Sequence, residues 1–249
     1  MRNLSAKGRY ISNKIGKAIA DYNLIEDNDR ILVAVSGGKD SLTLLKLLSE
    51  RQRWAPVRFE LFAAHVITDH RCAGCVHKDR LTKVFDDLSC PYRFLDVRLK
   101  NGKEKKVSCF WCAWNRRKAL FNLADELGFN KIALGHHKDD FVETILLNLF
   151  YNGEISSMNA GQPLFKGKIT LIRPLVYVEE ETIKAYAQES GFHQQVCRCP
   201  NAKTSKRALM KKLIPQLEKD PKLVKSNIFM APSRIRDEYL GTPKSLLRK

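Results

Sequence analysis

The stretch ILVAVSGGKDS, residues 31–41, constrains this chain more than any other. A β-branched apolar run, 31–36, reads as a buried strand, and SLTLLKLLSE, 41–50, reads as a helix. Two glycines, a lysine and an aspartate stand between them. Glycine lets a backbone turn sharply and approach a ligand closely. Amides at a helix start are unpaired and lie at the positive end of the helix dipole. The turn is therefore an anion site to which Lys39 adds a full charge, and phosphate is its natural guest. It is not the common NTPase loop G-x-x-x-x-G-K-S/T, because Asp40 follows Gly38-Lys39 and Val33 stands five residues before Gly38. An aspartate among phosphates repels them unless a cation intervenes, so Asp40 points to Mg²⁺.

The rest of the pattern extends this strand–helix unit. Further strands are predicted at 59–67, 92–97, 131–136 and 169–175, with helices at 76–89, 110–127, 139–153 and 179–191. Alternation of this kind predicts an α/β fold, an open and mainly parallel sheet flanked by helices. Ligands of such sheets bind beyond the carboxyl ends of the strands, which singles out 36–41, 68–75 and 135–140. Residues 1–28 are expected to form a basic N-terminal helix, 29–200 the main domain, and 201–249 a basic helical extension. Residues 203–249 hold thirteen Lys and Arg against four Asp and Glu, with no strand pattern.

The formal net charge is +17, with a pI near 9.7. Such a field attracts polyanions, nucleic acid first among them. No apolar run approaches the roughly 18 residues that a membrane-spanning helix needs. The start, MRNLSAKGRY, is basic but has no apolar core or cleavage site after it, so the expectation is a cytoplasmic protein without a membrane partner. Of seven cysteines, Cys72/Cys75 and Cys109/Cys112 are spaced C-x-x-C, Cys197/Cys199 are spaced C-x-C, and Cys90 stands alone. In a reducing compartment such pairs suggest metal or sulfur chemistry. One C-x-x-C alone fits zinc, redox chemistry or chance. Cys90, before Pro91, reads as a packing residue.

The second strand–helix junction is LGHHKDDFVETILLNLFYNG, 134–153. Gly135 permits close approach to the first loop. Asp139 and Asp140 either hold Mg²⁺ or polarise water, or they cap the helix. In SCFWCAWNRRKAL, 108–120, Cys109 and Cys112 begin a helix, where thiolates gain from the dipole and from Arg116, Arg117 and Lys118. Trp111 and Trp114 either stack on bases or pack along the helix.

SGGKDS resembles the signature of the PP-loop ATP pyrophosphatases, and GHHKDD resembles their companion motif. With AIADYNLIEDNDRILVAVSGGKDS, KIALGHHKDDFVETILLNLFYNG and IRPLVY in order, the chain resembles the tRNA 2-thiocytidine biosynthesis family from about residue 5 to about residue 205. The resemblance implies ATP-dependent thiolation of a pyrimidine in tRNA, cytidine-32 of the anticodon loop, through adenylation of the C2 oxygen. ATP, Mg²⁺ and a [4Fe–4S] cluster are the implied cofactors. The pyrophosphate end of ATP would rest on Ser36, Gly37, Gly38, Lys39, Asp40 and Ser41. The adenine would lie against the backbone of Ala34, Val35 and Val66, with Gly135 close by. Lys39, Asp40, Asp139 and Asp140 would be catalytic. Arg116 is either a second charge on the phosphoryl oxygens or a grip on RNA phosphate. Cys109, Cys112 and Cys199 would hold the cluster and leave one iron open for hydrosulfide. The chain departs from the family in its C-x-C, which keeps Cys197 as an alternative to Cys199, and in the additional Cys72 and Cys75, where zinc, persulfide relay and a redox pair stay open. Implied partners are tRNA, a sulfur donor (a cysteine desulfurase or sulfide) and a second copy as a homodimer. Lysidine synthesis on tRNA, or thiolation of another position such as a uridine, is the alternative activity.

Overall fold

A computed structural model describes residues 4–69, 78–99, 108–192, 206–217, 223–239 and 241. Six strands form one sheet: β1 (Asp29–Ala34), β2 (Phe59–Thr68), β3 (Tyr92–Val97), β4 (Lys131–Ala133), β5 (Gly161–Leu164) and β6 (Ile169–Ile172). Their order is β3-β2-β1-β4-β6-β5, parallel except for β5, which runs antiparallel to β6. The expected open, mainly parallel sheet is therefore the fold. β1 is buried along almost its whole length, as a central parallel strand covered on both faces must be. β5 was not predicted. Gly161 and Pro163 argue against a strand interior, but an edge strand tolerates the missing Pro N–H. β4 and β6 stop at Ala133 and Ile172, earlier than the apolar pattern suggests.

The intervening helices are α1 (Ala6–Tyr22), α2 (Lys39–Gln52), α3 (Lys78–Asp87), α4 (Cys109–Leu127), α5 (Lys138–Asn152) and α6 (Glu180–Glu189), followed by α7 (Lys206–Leu217) and α8 (Leu223–Met230). In α1 the Ser5 side chain accepts from the Gly8 amide, and Asn23 closes the helix in the left-handed conformation. Ile11 and Ile15 of α1 are fully buried, and α1 packs with α2 and α6. On the other side of the sheet, Leu120, Leu123 and Ala124 of α4 join Leu32, Ala64, Val66 and Ile132 in one core.

The described residues fall into two compact units. The first comprises those of 1–140 and 159–205, so α1 belongs with the sheet. The second comprises those of 141–158 and 206–249, where Val142, Leu146, Met210 and Ile214 share a core. No helix among the described residues is long and apolar enough to cross a membrane.

Candidate active site

The sheet order reverses direction between β1 and β4, and a crevice opens at such a switch point. Val33 pairs with Ala133, so the chain segments leaving β1 and β4 emerge side by side. Leaving β1, Gly37 takes φ of +86°, the left-handed region that glycine occupies at little cost. Ser36 and Ser41 close the turn: the Ser36 amide donates to Ser41 Oγ at 3.1 Å, and Ser41 Oγ donates to the Gly38 carbonyl at 3.0 Å. Leaving β4, Gly135 lies so close to α2 that an added Cβ would stand 2.9 Å from the Ser41 nitrogen. The two motifs thus touch through backbone.

Lys39 sits at the first position of α2 with little exposure. Its Nζ donates to Asp40 Oδ2 and to Glu180 Oε1, each at 3.1 Å. Burial pulls the Lys39 pKa down, but Asp40 and Glu180 outweigh it and the net shift is upward, so the ammonium stays charged. His137 is buried among three carboxylates. Its Nε2 lies 3.4 Å from Asp140 Oδ2 and 3.8 Å from Asp40 Oδ1, and its Nδ1 lies 3.5 Å from Asp139 Oδ2. Burial lowers its pKa, and the carboxylates, Asp139 first, raise it further than that.

The three aspartates are not equivalent. Asp139 is buried and accepts the Glu180 amide at 2.7 Å, tying α5 to the start of α6. Asp140 accepts the His137 amide at 3.0 Å, a capping bond at the start of α5. Asp40 Oδ1 is buried and lies 2.9 Å from Lys39 Nζ, so a cation already stands against it. Carboxylate oxygens gathered at the start of two adjacent helices are hard donors of the kind that suit Mg²⁺. The residues fit the ion, with Asp40 and Asp140 better placed to hold it than Asp139.

Ala34, Val35 and Val66 lie at the carboxyl ends of β1 and β2, but Val35 has both backbone groups engaged. Its amide donates to Ala64 O at 2.8 Å, and its carbonyl lies 2.6 Å from His65 Nδ1. It offers a wall there rather than a hydrogen bond. Burial lowers the pKa of His65, with help from the positive charges of Arg116 and Lys78. The charge of Arg116, on α4, thus acts on this end of β2. Arg173, just past β6, is also buried. Its Nε donates to His136 Nδ1 at 3.3 Å, Nη2 to Gln162 Oε1 at 3.5 Å, and Nη1 to the Asn159 carbonyl. Sequence reasoning gave no role to His65, His137, Glu180 or Arg173. Glu180 is 141 residues from Lys39 and carries no local signal. His137 and Arg173 lie inside quoted motifs, GHHKDD and IRPLVY, which could have drawn attention to them.

Ser108 caps α4 by accepting the Trp111 amide at 3.1 Å, which fixes Cys109 and Cys112 at the first and fourth helical positions. Cys112 is a half-buried thiol. The two positions stand one turn apart at a positive helix end, where thiolates are favoured, and that spacing suits two ligands of a cluster. Cys199, Cys197, Cys72 and Cys75 lie outside the described residues. Cys90 is buried, with Sγ 3.5 Å from the Pro91 carbonyl, and burial pushes its thiol up to about 11, an inert packing cysteine.

Comparison with known proteins follows the same lines. The family described as PP-loop domain matches residues 9–217. The tRNA-cytidine(32) 2-sulfurtransferase of Geobacter sulfurreducens is 41% identical over 244 residues, covering 92% of this chain and 91% of the relative. That of Citrifermentans bemidjiense is 39% identical over 243 residues, covering 96% and 95%. Among solved structures, the U34-tRNA thiolase NcsA from Methanococcus maripaludis, determined with its [4Fe–4S] cluster, superposes with a TM-score of 0.71 at 21% identity, covering 95% of this chain and 80% of that one. That likeness is one of fold. By the extent of the match and the identity to its relatives, the chain belongs to the PP-loop family and, within it, to the tRNA-cytidine(32) 2-sulfurtransferases.

Proposed function

We propose that this protein is an ATP-dependent tRNA thiolase that exchanges the C2 oxygen of cytidine 32 for sulfur, in keeping with the 2-sulfurtransferase activity on tRNA cytidine 32 for which its relatives are named. The observation that carries the reading is the contact of Gly135 with the first turn of α2, in a chain 41% identical to such an enzyme. It joins the two halves of a nucleotide site at the sheet's switch point.

ATP phosphates rest on residues 36–41, on the amides that begin α2 and on Lys39. The C2 oxygen attacks the α-phosphorus, an O–P bond forms, and pyrophosphate leaves. Lys39 stabilises the charge that builds on the phosphoryl oxygens, and Arg116 adds to the field from α4. Asp40 and Asp140, with Asp139 behind them, would hold Mg²⁺, which neutralises charge between the phosphates. A sulfur nucleophile then adds to C2, the C2–O bond breaks, and AMP leaves with the cytidine oxygen while the sulfur gives up its proton. A [4Fe–4S] cluster held by Cys109, Cys112 and Cys199 would supply that sulfur. A cysteine desulfurase or sulfide replenishes it, and the working unit is a cytoplasmic homodimer. The net charge of +17 suits a tRNA substrate. A base in a loop reaches such a pocket more easily than one in a duplex.

The test is nucleoside mass spectrometry on tRNA from cells lacking this protein. 2-Thiocytidine should disappear, return with the wild-type chain, and stay absent with Cys112→Ser. Retention of every thionucleoside would overturn the proposal, and loss of lysidine instead would identify the alternative activity.

A further inference from the structure

The N-terminal half of α4 has two unlike faces. Cys112, Asn115, Arg116 and Ala119, spaced three and four apart, form its half-buried inner stripe. Phe110, Trp111, Trp114, Arg117 and Lys118 form the outer one, and all five are exposed. Phe110 is 73% exposed, Trp111 36% and Trp114 40%. The two indoles are parallel, with centroids 5.4 Å apart and planes 12° apart. Lys118 Nζ lies 5.2 Å from the Trp114 ring centroid. Trp114 is therefore flanked by an indole and a cation, while no further ring or cation stacks on Trp111 among the described residues. From Cys109 to Ala124 the helix carries no carboxylate.

We propose that this outer face is a stacking platform for unpaired nucleobases of an RNA loop, with Trp111 and Phe110 receiving bases and Arg117 and Lys118 holding the adjoining phosphates. It rests on the tRNA reading above and adds where the loop is gripped. Three observations carry it. The rings are exposed although the same helix buries Leu120, Leu123 and Ala124 against the sheet, so the core does not need them. Every base offers a π-face to such rings, whatever the sequence. The flanking charge is of one sign, which complements a polyanion and would repel a second copy of the same face. Leu120, Leu123 and Ala124 of the same helix pack with Ala64 and Val66 of β2, so the helix that carries this face lies on a strand whose carboxyl end flanks the nucleotide loop.

The test measures binding of an anticodon stem-loop hairpin, without ATP or sulfide, by anisotropy and by tryptophan quenching. Trp54, in contact with Arg51, serves as the internal reference. Trp111→Leu should weaken hairpin binding by about five- to a hundred-fold and abolish most of the quenching, and Trp111→Phe should restore most of the affinity. A blunt duplex of the same length should bind all three proteins alike. Arg117→Gln and Lys118→Gln should each reduce the slope of log K against log salt by about 0.7. The proposal is overturned if Trp111→Leu, with native circular dichroism, binds the hairpin as tightly as wild type. It is equally overturned if that variant turns a dimer into a monomer at unchanged RNA affinity, or if anionic vesicles quench the indoles and RNA does not. Because no turnover is read, a failure of the thiolation reading in cells leaves this result standing, and the reverse holds too.

Discussion

Gly135→Ala should cripple the enzyme through geometry alone. The new Cβ would stand 2.9 Å from the Ser41 nitrogen and 3.1 Å from both the Asp40 carbonyl carbon and Ser41 Cα. Ordinary contact begins near 3.4 Å, so the two segments must part by 3.4 minus 2.9, or 0.5 Å. All three atoms are backbone of a helix pinned by buried Leu42, Leu44 and Leu45, so no flexible side chain can yield. Overpacking of this kind costs about 1–3 kcal/mol. At roughly 2–4 °C per kcal/mol for a chain of this size, Tm should fall by roughly 2–12 °C. The methyl also crowds a helix-start amide that the phosphates need. Since a 1 Å displacement costs about a hundredfold in rate, AMP formation should fall by about ten- to a hundred-fold. Gly38→Ala is the control for folding, because its Cβ would meet only Ser36 Oγ, at 3.4 Å, and its φ is −81°. Its Tm should stay within about 2 °C of wild type. Differential scanning calorimetry and a tRNA-dependent AMP assay decide the matter. Wild-type Tm and wild-type turnover in Gly135→Ala would refute the close apposition of the two motifs.

Two further perturbations probe the charges around the loop. Glu180→Gln removes one of the two carboxylates on Lys39 and should destabilise the nucleotide-free protein by about 1–3 kcal/mol in urea titrations, while ATP should bind more tightly by calorimetry because Lys39 no longer has to leave Glu180. Weaker ATP binding in that variant would mean that Glu180 positions Lys39 for phosphate. His65 has a folded pKa below its ordinary 6.5, so the native state binds fewer protons than the unfolded chain in that window. Its contribution is intact above pH 6.5 and is lost as pH falls below that value. Wild-type stability should therefore drop more steeply from pH 6.5 to 5 than that of His65→Gln. In Arg116→Gln the His65 titration followed by NMR should move upward, and no movement would place Arg116 away from β2.

Much of the architecture was legible because it repeats a local pattern. The β-branched run before SGGKDS, the apolar period of the helices and the Gly stops depend on neighbours in sequence. Five of the six strands follow from them. β5 escaped because Gly161 and Pro163 depress strand propensity, and only an edge position beside β6 makes such a segment pair. The strand ends escaped as well: β4 and β6 stop at Ala133 and Ile172, although Leu134 still donates to the Ile172 carbonyl at 2.9 Å and Arg173 to the Ala160 carbonyl at 2.8 Å.

The sequence by itself determined the chemistry on offer: a glycine turn with Lys39 and Asp40, two further aspartates after Gly135, and two thiols at the start of α4. Tertiary structure alone decided how those groups divide the work. It brought Glu180 from α6 onto Lys39, surrounded His137 with three carboxylates, and committed Asp139 to the Glu180 amide. The reason is physical. Residue type fixes what a group can donate or accept, whereas protonation and partnership are set by burial and by charges a few ångströms away, which come from segments distant along the chain.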